Sequence, residues 1–237
     1  MTTIHPVETH VLDNPAWFSL TGPHASFAEG TDQARRYPAD VSPFVAVPPV
    51  PTARTWTDLA ELVGPGQTVA LSGGPELTGS LPEPWRYEMR GEGVQLVSTS
   101  RLVSEPAPEA VRLGADDVPE MLDLVARTKP GPFRPRTYQL GTYLGIRHSG
   151  ALVAMAGERL HPAGYTEISA VCTDPAYRRR GLAARLVRAV AHGIRERGDV
   201  PLLHAAGTNT AAIRLYEAMG FELRRRTTFV AVHIPQP

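Results

Sequence analysis

Residues 178–183, Arg-Arg-Arg-Gly-Leu-Ala, join three positive charges to a glycine where a helix is expected to open. That combination suits phosphate. The first turn of a helix carries N–H groups with no intrahelical partner, and its dipole places partial positive charge there. Gly181 permits close backbone approach, and Ala183 is too small to block a pyrophosphate. The turn can act through its amides with the arginine side chains in solvent, or Arg178, Arg179 and Arg180 can touch phosphates themselves. Glu167, flanked by Tyr165 and Ile168, stands where partial burial would raise a carboxyl toward the range of a general base. A plain surface strand glutamate is the alternative, and Glu158 on the preceding strand is a second candidate. Cys172 is the single cysteine. A nucleophilic role would require a nearby base and a lowered pKa. His204 lies on a later strand and His161 in a loop, and spacing places neither beside it, so Cys172 reads as a buried strand cysteine.

These residues need elements to position them. Residues 168–173, Ile-Ser-Ala-Val-Cys-Thr, form an apolar strand before the basic turn, within a strand expected over 165–173. Residues 182–197 form an amphipathic helix with Ala183, Leu186, Val187, Val190 and Ile194 on one face, and Gly198 fits its C′ position. A strand over 200–205 and a helix over 209–219, opened by Asn209 and ended by Gly220, follow. Upstream, Asp116 can cap a helix running to about Thr128. Residues 137–147 and 151–160 read as a hairpin turning at His148-Ser149-Gly150. A last strand is expected over 229–234, after a solvated run Arg224-Arg225-Arg226. From residue 111 the order is α-β-β-β-α-β-α-β, a mixed sheet with helices on its faces.

Residues 1–105 have another texture. Pro38, Pro43, Pro48, Pro49 and Pro51 break residues 38–51 into an extended path. Asn14-Pro15 looks like a helix start, residues 55–63 like a short helix, and 67–72 and 93–98 like strands. Trp17, Phe18, Phe27, Tyr37 and Phe44 make the segment aromatic; they pack a core or fold over the neighbouring half. Residues 104–109 read as a linker, dividing the chain into an N-terminal region over 1–105 and a domain over 110–237.

Composition excludes several classes. The 237 residues balance 24 basic against 24 acidic side chains, which argues against a broad nucleic-acid or membrane footprint. Lys129 is the only lysine, and it sits in Thr128-Lys129-Pro130, so a Walker A loop is excluded. One cysteine excludes an internal disulfide and a multi-cysteine metal site. No apolar run nears the roughly 20 residues of a membrane span. Met1–Pro6 lacks the basic and apolar regions of a secretory signal. The expectation is a soluble cytoplasmic protein. The bias toward Arg, Ala and Pro fits a GC-rich bacterial genome.

Two stretches carry a family resemblance. The 178–183 turn resembles the Q/R-x-x-G-x-G/A pyrophosphate loop of the GNAT acyltransferases. Residues 209–221, Asn-Thr-Ala-Ala-Ile-Arg-Leu-Tyr-Glu-Ala-Met-Gly-Phe, resemble that family's N-x-x-A-x-x-L-Y-x-x-x-G-F signature. The 28 residues from Gly181 to Asn209 leave room for one helix and one strand. The resemblance covers about residues 110–235, and its nearest branch is that of bacterial acetyltransferases related to glycine N-acyltransferases. It implies an α/β (α+β) fold with a mixed, mostly antiparallel sheet flanked by helices, and an N-acetyltransferase with acetyl-CoA as cosubstrate, an amine acceptor and no metal. A homodimer is left open.

The resemblance also implies roles. Val171, Cys172 and Thr173 would lie along the thioester. Arg178, Arg179, Arg180, Gly181, Leu182, Ala183 and Ala184 would hold the pyrophosphate. Asn209 would contact the cosubstrate while capping its helix. Tyr216 would protonate the departing thiolate; on periodicity alone it is a core aromatic. Glu167, eleven residues before Arg178, matches members that use a strand glutamate as base. A CoA-binding protein that no longer catalyses is the rival reading. The acceptor amine and acyl-chain preference are not encoded in any motif.

Overall fold

A computed structural model describes residues 10–71 and 81–236. Met1–Pro6 and Ser72, each part of an expectation above, lie outside the described residues. Helices α1 (Pro15–Leu20), α2 (Ala53–Val63), α3 (Val118–Thr128), α4 (Leu182–Glu196) and α5 (Thr210–Met219) accompany eleven strands among the described residues. The strands are β1 (Glu29–Gly30), β2 (Arg35–Arg36), β3 (Phe44–Ala46), β4 (Thr68–Leu71), β5 (Arg86–Ser98) and β6 (Val111–Arg112), then β7 (Tyr143–His148), β8 (Ala151–Glu158), β9 (Tyr165–Thr173), β10 (Val200–Ala206) and β11 (Phe221–His233). They form one sheet in the order β1-β2-β3-β4-β11-β5-β10-β9-β8-β7-β6. Most pairs are antiparallel; β3–β4 and β9–β10 are parallel. The expected alternation of strands and helices from residue 111 is the observed one, with the two-residue β6 added at its start.

The sheet has helices on both faces. Leu186, Val187, Val190 and Ile194 of α4 pack on Val153 and Ala154 of β8 and Leu96 of β5, with Tyr216 and Met219 of α5 in the same cluster. The opposite face takes Met121 and Leu124 of α3 against Leu152 and Met155 of β8. β8 thus serves both layers, with Val153 and Ala154 together on the α4 side where the β7–β8 register shifts. Gly220 ends α5 at φ 104°, and its missing side chain lets the backbone of Arg101 and Leu102 approach.

Several local expectations are corrected. Residues 137–140 form a 3₁₀ turn instead of the start of a strand, because the Thr137 hydroxyl bonds Val41 O and Arg134 N. Asp116 does not cap α3; Asp117 precedes that helix and accepts from Gly114 N instead. β11 starts at Phe221, so Arg224–Arg226 lie within a strand. Arg224 and Arg225 are part-buried on Asp13, and are not a solvated run. β5 and β11 pair along their whole length, which places residues 86–98 in the middle of the sheet. The sheet therefore runs through both the N-terminal region and the 110–237 segment. Residues 104–109 have no helix or strand and lie along α4, with Glu105 and Glu109 on Arg188 and Arg185.

Candidate active site

The site begins where two strands part. β9 and β10 pair only through Tyr165–Glu167 with Val200–Leu202. Beyond Glu167 the ladder to β10 stops, while β9 stays paired to β8. A bulge lies there: Ser169 faces Gly157 and Cys172 faces Met155, so Ala170 and Val171 together oppose Ala156 alone, and Ala170 takes φ 52°. The gap opens into a cavity of about 1010 Å³, within reach of a cofactor-sized ligand. Val171, Cys172 and Thr173 line it. Thr173 Oγ1 is buried with no hydrogen-bond partner among the described residues. A bound ligand would satisfy it.

The basic turn forms the next wall. Asp174 accepts from Ala176 N and pairs with Arg127, and Arg178 Nε reaches Thr173 O at 3.3 Å, which anchors the turn to the end of β9. Arg179 and Gly181 adopt left-handed backbone, φ 62° and 75°, immediately before α4. Gly181 sits at the N-cap with no side-chain cap, and a Cβ there would project into open space. The first amides of α4 are thus free for an anion. Arg178, Arg179, Gly181, Leu182, Ala183 and Ala184 reach the cavity. Arg180 is the exception: its guanidinium lies 4.9 Å over the Tyr177 ring, off the cavity wall.

Helix α5 closes the third side. Asn209 Oδ1 caps it by accepting from Ala212 N at 3.2 Å, and Asn209 and Tyr216 both line the cavity. The Tyr216 ring is largely buried beside Phe221, and burial pushes its phenol up to about 12. Its hydroxyl is therefore protonated at neutral pH, the state a proton donor needs. Cys172 is buried among α3 residues and burial pushes its thiol up to about 11, which fits an inert strand cysteine.

Glu167 does not stand where a base must. It is fully buried and absent from the cavity wall. Burial alone would raise its carboxyl, but the Arg159 charge and fork, then His204, outweigh burial and hold it far below the usual carboxylate range. Arg159 grips it bidentately, Nε to Oε2 at 2.9 Å and Nη2 to Oε1 at 2.6 Å, and Leu160 N adds a bond to Oε2. A carboxylate so held does not take a proton from substrate. Glu158 is buried on Arg197 at 2.8 Å, also away from the cavity. Neither carboxylate lines the cavity, and each is held by an arginine.

The cavity is also lined by residues the motifs did not name. His204 and Gln95 line the cavity, joined by Arg225 of β11 and by Leu12 and Phe44 of the N-terminal region. His204 was visible as the one polar side chain in an otherwise apolar run, 200–206, which is itself a signal that it has a partner.

Comparison with known proteins bears on this architecture. A solved structure from Novosphingobium aromaticivorans, assigned to the GNAT acetyltransferase family, is 38% identical, covers 96% of this chain and all of its own, and superposes with a TM-score of 0.86. The chain belongs to the GNAT family. The family described as FR47-like protein matches residues 143–230 of this GNAT protein, a span that holds the bulged strand, the basic turn and α5. The N-alpha-acetyltransferase RimI of Mycobacterium tuberculosis is 40% identical over 91 residues, 35% of this chain and 56% of RimI. The match thus spans little more than half of that relative. A GCN5-related N-acetyltransferase from Kribbella flavida, 19% identical over 94% of this chain, shares the fold with a TM-score of 0.65. Among the described residues no helix is long and apolar enough to cross a membrane, and no group of His, Cys, Asp and Glu could hold a metal.

Proposed function

We propose that this GNAT protein transfers an acetyl or short acyl group from acyl-CoA to an amine by direct attack within a ternary complex. One observation carries the reading: the β9/β10 gap, the free amides at the start of α4, and Tyr216 all open into a single cavity. The pyrophosphate would rest on the amides of residues 179–184, with Arg178 and Arg179 near it. Lys129, the only lysine, stands on the same wall. The thioester would lie along Val171–Thr173, with its carbonyl toward a β9 amide left without a β10 partner. Asn209 would cap α5 with Oδ1 and offer its nitrogen to the cosubstrate.

The neutral amine then attacks the thioester carbon and the C–N bond forms. The tetrahedral oxyanion is held by the strand amide and collapses with cleavage of the C–S bond; Tyr216 protonates the thiolate and is restored by the proton that leaves the attacking nitrogen. Products are the amide and CoA, with one proton released from the original ammonium. Residues 1–105 would supply the acceptor side, because Leu12, Pro15 and Phe44 complete the cavity beside β11.

The test is CoA release measured across a panel of α-amines, lysine-type amines, amino acids and polyamines, together with acetyl-CoA binding by calorimetry. Turnover with at least one amine and saturable binding are expected. Binding without turnover on any amine would instead support a CoA sensor, and absence of binding would end both readings.

A further inference from the structure

The loss of Glu167 as a direct base leaves the acceptor amine without a proton acceptor, and an ammonium cannot attack a thioester. We propose that His204 accepts that proton, with Glu167 as its positioning residue. The proposal rests on the N-acyltransferase reading above.

Geometry fixes the state of the imidazole from two sides. His204 Nδ1 lies 2.7 Å from Glu167 Oε1. Glu167 is anionic and can only accept, so Nδ1 carries the hydrogen. The second partner agrees independently. Gln95 Nε2 donates to Leu12 O at 2.8 Å, and Gln95 Oε1 accepts from Arg224 Nη1 at 2.9 Å, so the amide orientation is set by its neighbours. Gln95 therefore presents an N–H to His204 Nε2, at 3.0 Å. Nε2 is the unprotonated nitrogen. A neutral imidazole of a cavity-lining residue, with its N–H on a buried carboxylate and its lone pair on a neutral donor, is the resting state a general base requires.

The surrounding charges suit the step. Arg159 and Glu167 cancel before reaction, and the Arg159 guanidinium is packed 5.0 Å over the Phe44 ring. When Nε2 takes the proton, the imidazolium forms against Glu167, whose position is already fixed by three N–H bonds from Arg159 and Leu160. No reorganisation is needed at that moment. The other charged groups facing this corner are Arg224 and Arg225 from β11 and Asp13 from the turn before α1, which accepts from both arginines. The Phe229 ring, 6.5 Å away, closes the apolar side. Gln95 is a neutral donor to Nε2, and an arriving ammonium is a stronger, charge-assisted one. The amine thus replaces the Gln95 N–H, while Gln95 keeps its bond to Leu12 O. The proton passes from ammonium to Nε2, the freed lone pair attacks the thioester carbon, and the imidazolium returns the proton to solvent after product leaves.

A bracing role for the same network predicts something different. Bracing would affect folding and cosubstrate binding at every pH. Proton acceptance affects turnover, and only where the amine is charged.

The experiment uses full-length protein and the best amine from the CoA-release panel, comparing wild type with His204→Gln, His204→Ala and Glu167→Gln. Both His204 variants should bind acetyl-CoA within about twofold of wild type. Turnover at neutral pH should fall by about 10²–10⁴-fold. The deficit should shrink as pH approaches the amine's own pKa, about 8 for an α-amine and about 10 for a lysine-type amine. In His204→Gln the acid limb of the kcat/KM profile should be set by the amine's own ionisation and follow the amine's pKa across the panel. In Glu167→Gln turnover should fall while acetyl-CoA affinity is kept, because the imidazolium that forms has lost its counter-charge. ¹⁵N spectra of histidine-labelled wild type should show His204 as the Nδ1–H tautomer.

An active wild type alongside a His204→Gln variant that is active with the same profile overturns this proposal alone. So does an equal loss at all pH values, or an Nε2–H tautomer. A wild type that binds acetyl-CoA and acetylates no amine removes the acyltransfer reading, and this proton acceptor with it.

Discussion

Tyr216 illustrates what one side chain can reveal and conceal. Its spacing from Asn209 lies within a single helix, so the sequence alone brought both residues to one site. Its proposed chemistry depends on staying protonated, and burial, which raises its phenol to about 12, secures that. Tyr216→Phe should keep the ring's contact with Phe221 and keep acetyl-CoA affinity within about twofold. Turnover should fall by roughly 10²–10⁴-fold, because the hydroxyl acts only as charge builds on sulfur. Single-turnover kinetics would check this, and a wild-type chemical rate would make Tyr216 a core aromatic. Glu167 shows the opposite case. Its type and position were readable, but its proton affinity was not. That affinity is set by Arg159, eight positions away, and by His204, 37 positions away. Nothing in the local sequence says that a guanidinium fork will occupy both carboxylate oxygens.

At the scale of elements, the basic turn was the most legible part of the chain. A strand, a glycine and a helix in succession specify their own geometry, and the observed left-handed Gly181 at the mouth of α4 is what that pattern needs. Gly181→Val tests it. A β-branched residue at φ 75° is strained, and its side chain would enter the open space in front of the amides. Acetyl-CoA affinity should drop by at least about 100-fold while circular dichroism still reports a folded protein. Unchanged calorimetric affinity in a folded variant would remove the phosphate turn. Strand lengths were less legible. β5 and β11 were expected as six-residue strands at 93–98 and 229–234, yet each runs 13 residues. Their missing halves are polar, as in Arg86-Tyr-Glu-Met-Arg and Arg224-Arg-Arg-Thr-Thr, and polar alternation hides a strand when periodicity is read from apolar residues. The β9 bulge is less legible still, since only the register with β8 reveals it.

At the scale of the whole molecule, the N-terminal region is joined to the rest by contacts that span most of the chain. Asp13 takes Arg224 and Arg225, and Thr137 bonds Val41 O. Such pairs have no local signal, so a proline-rich segment could be delimited but not placed. His24 lies at this junction and gives it a pH dependence. It is buried, with Nδ1 3.0 Å from the Tyr37 hydroxyl and its ring edge-on to Phe27, Tyr37 and His161. Burial, then repulsion from His161, pulls its pKa from 6.5 down to about 4. The unfolded chain therefore binds the proton first as pH falls. Stability from this group is fully present above pH 6.5 and is lost between there and about pH 4, an effect on the order of 3 kcal/mol. Asp13 and Glu167 shift in the depressed direction too, but as carboxylates they act below their ordinary range, so His24 governs the window above it. Urea midpoints at pH 7.5, 5.5 and 4.5 should fall steeply in wild type. In His24→Asn the protein should be less stable at pH 7.5, where Tyr37 loses its partner, but the slope across the window should flatten. Parallel slopes for the two proteins would mean that His24 is protonated in the folded state, and that the N-terminal region docks with a charge at its centre.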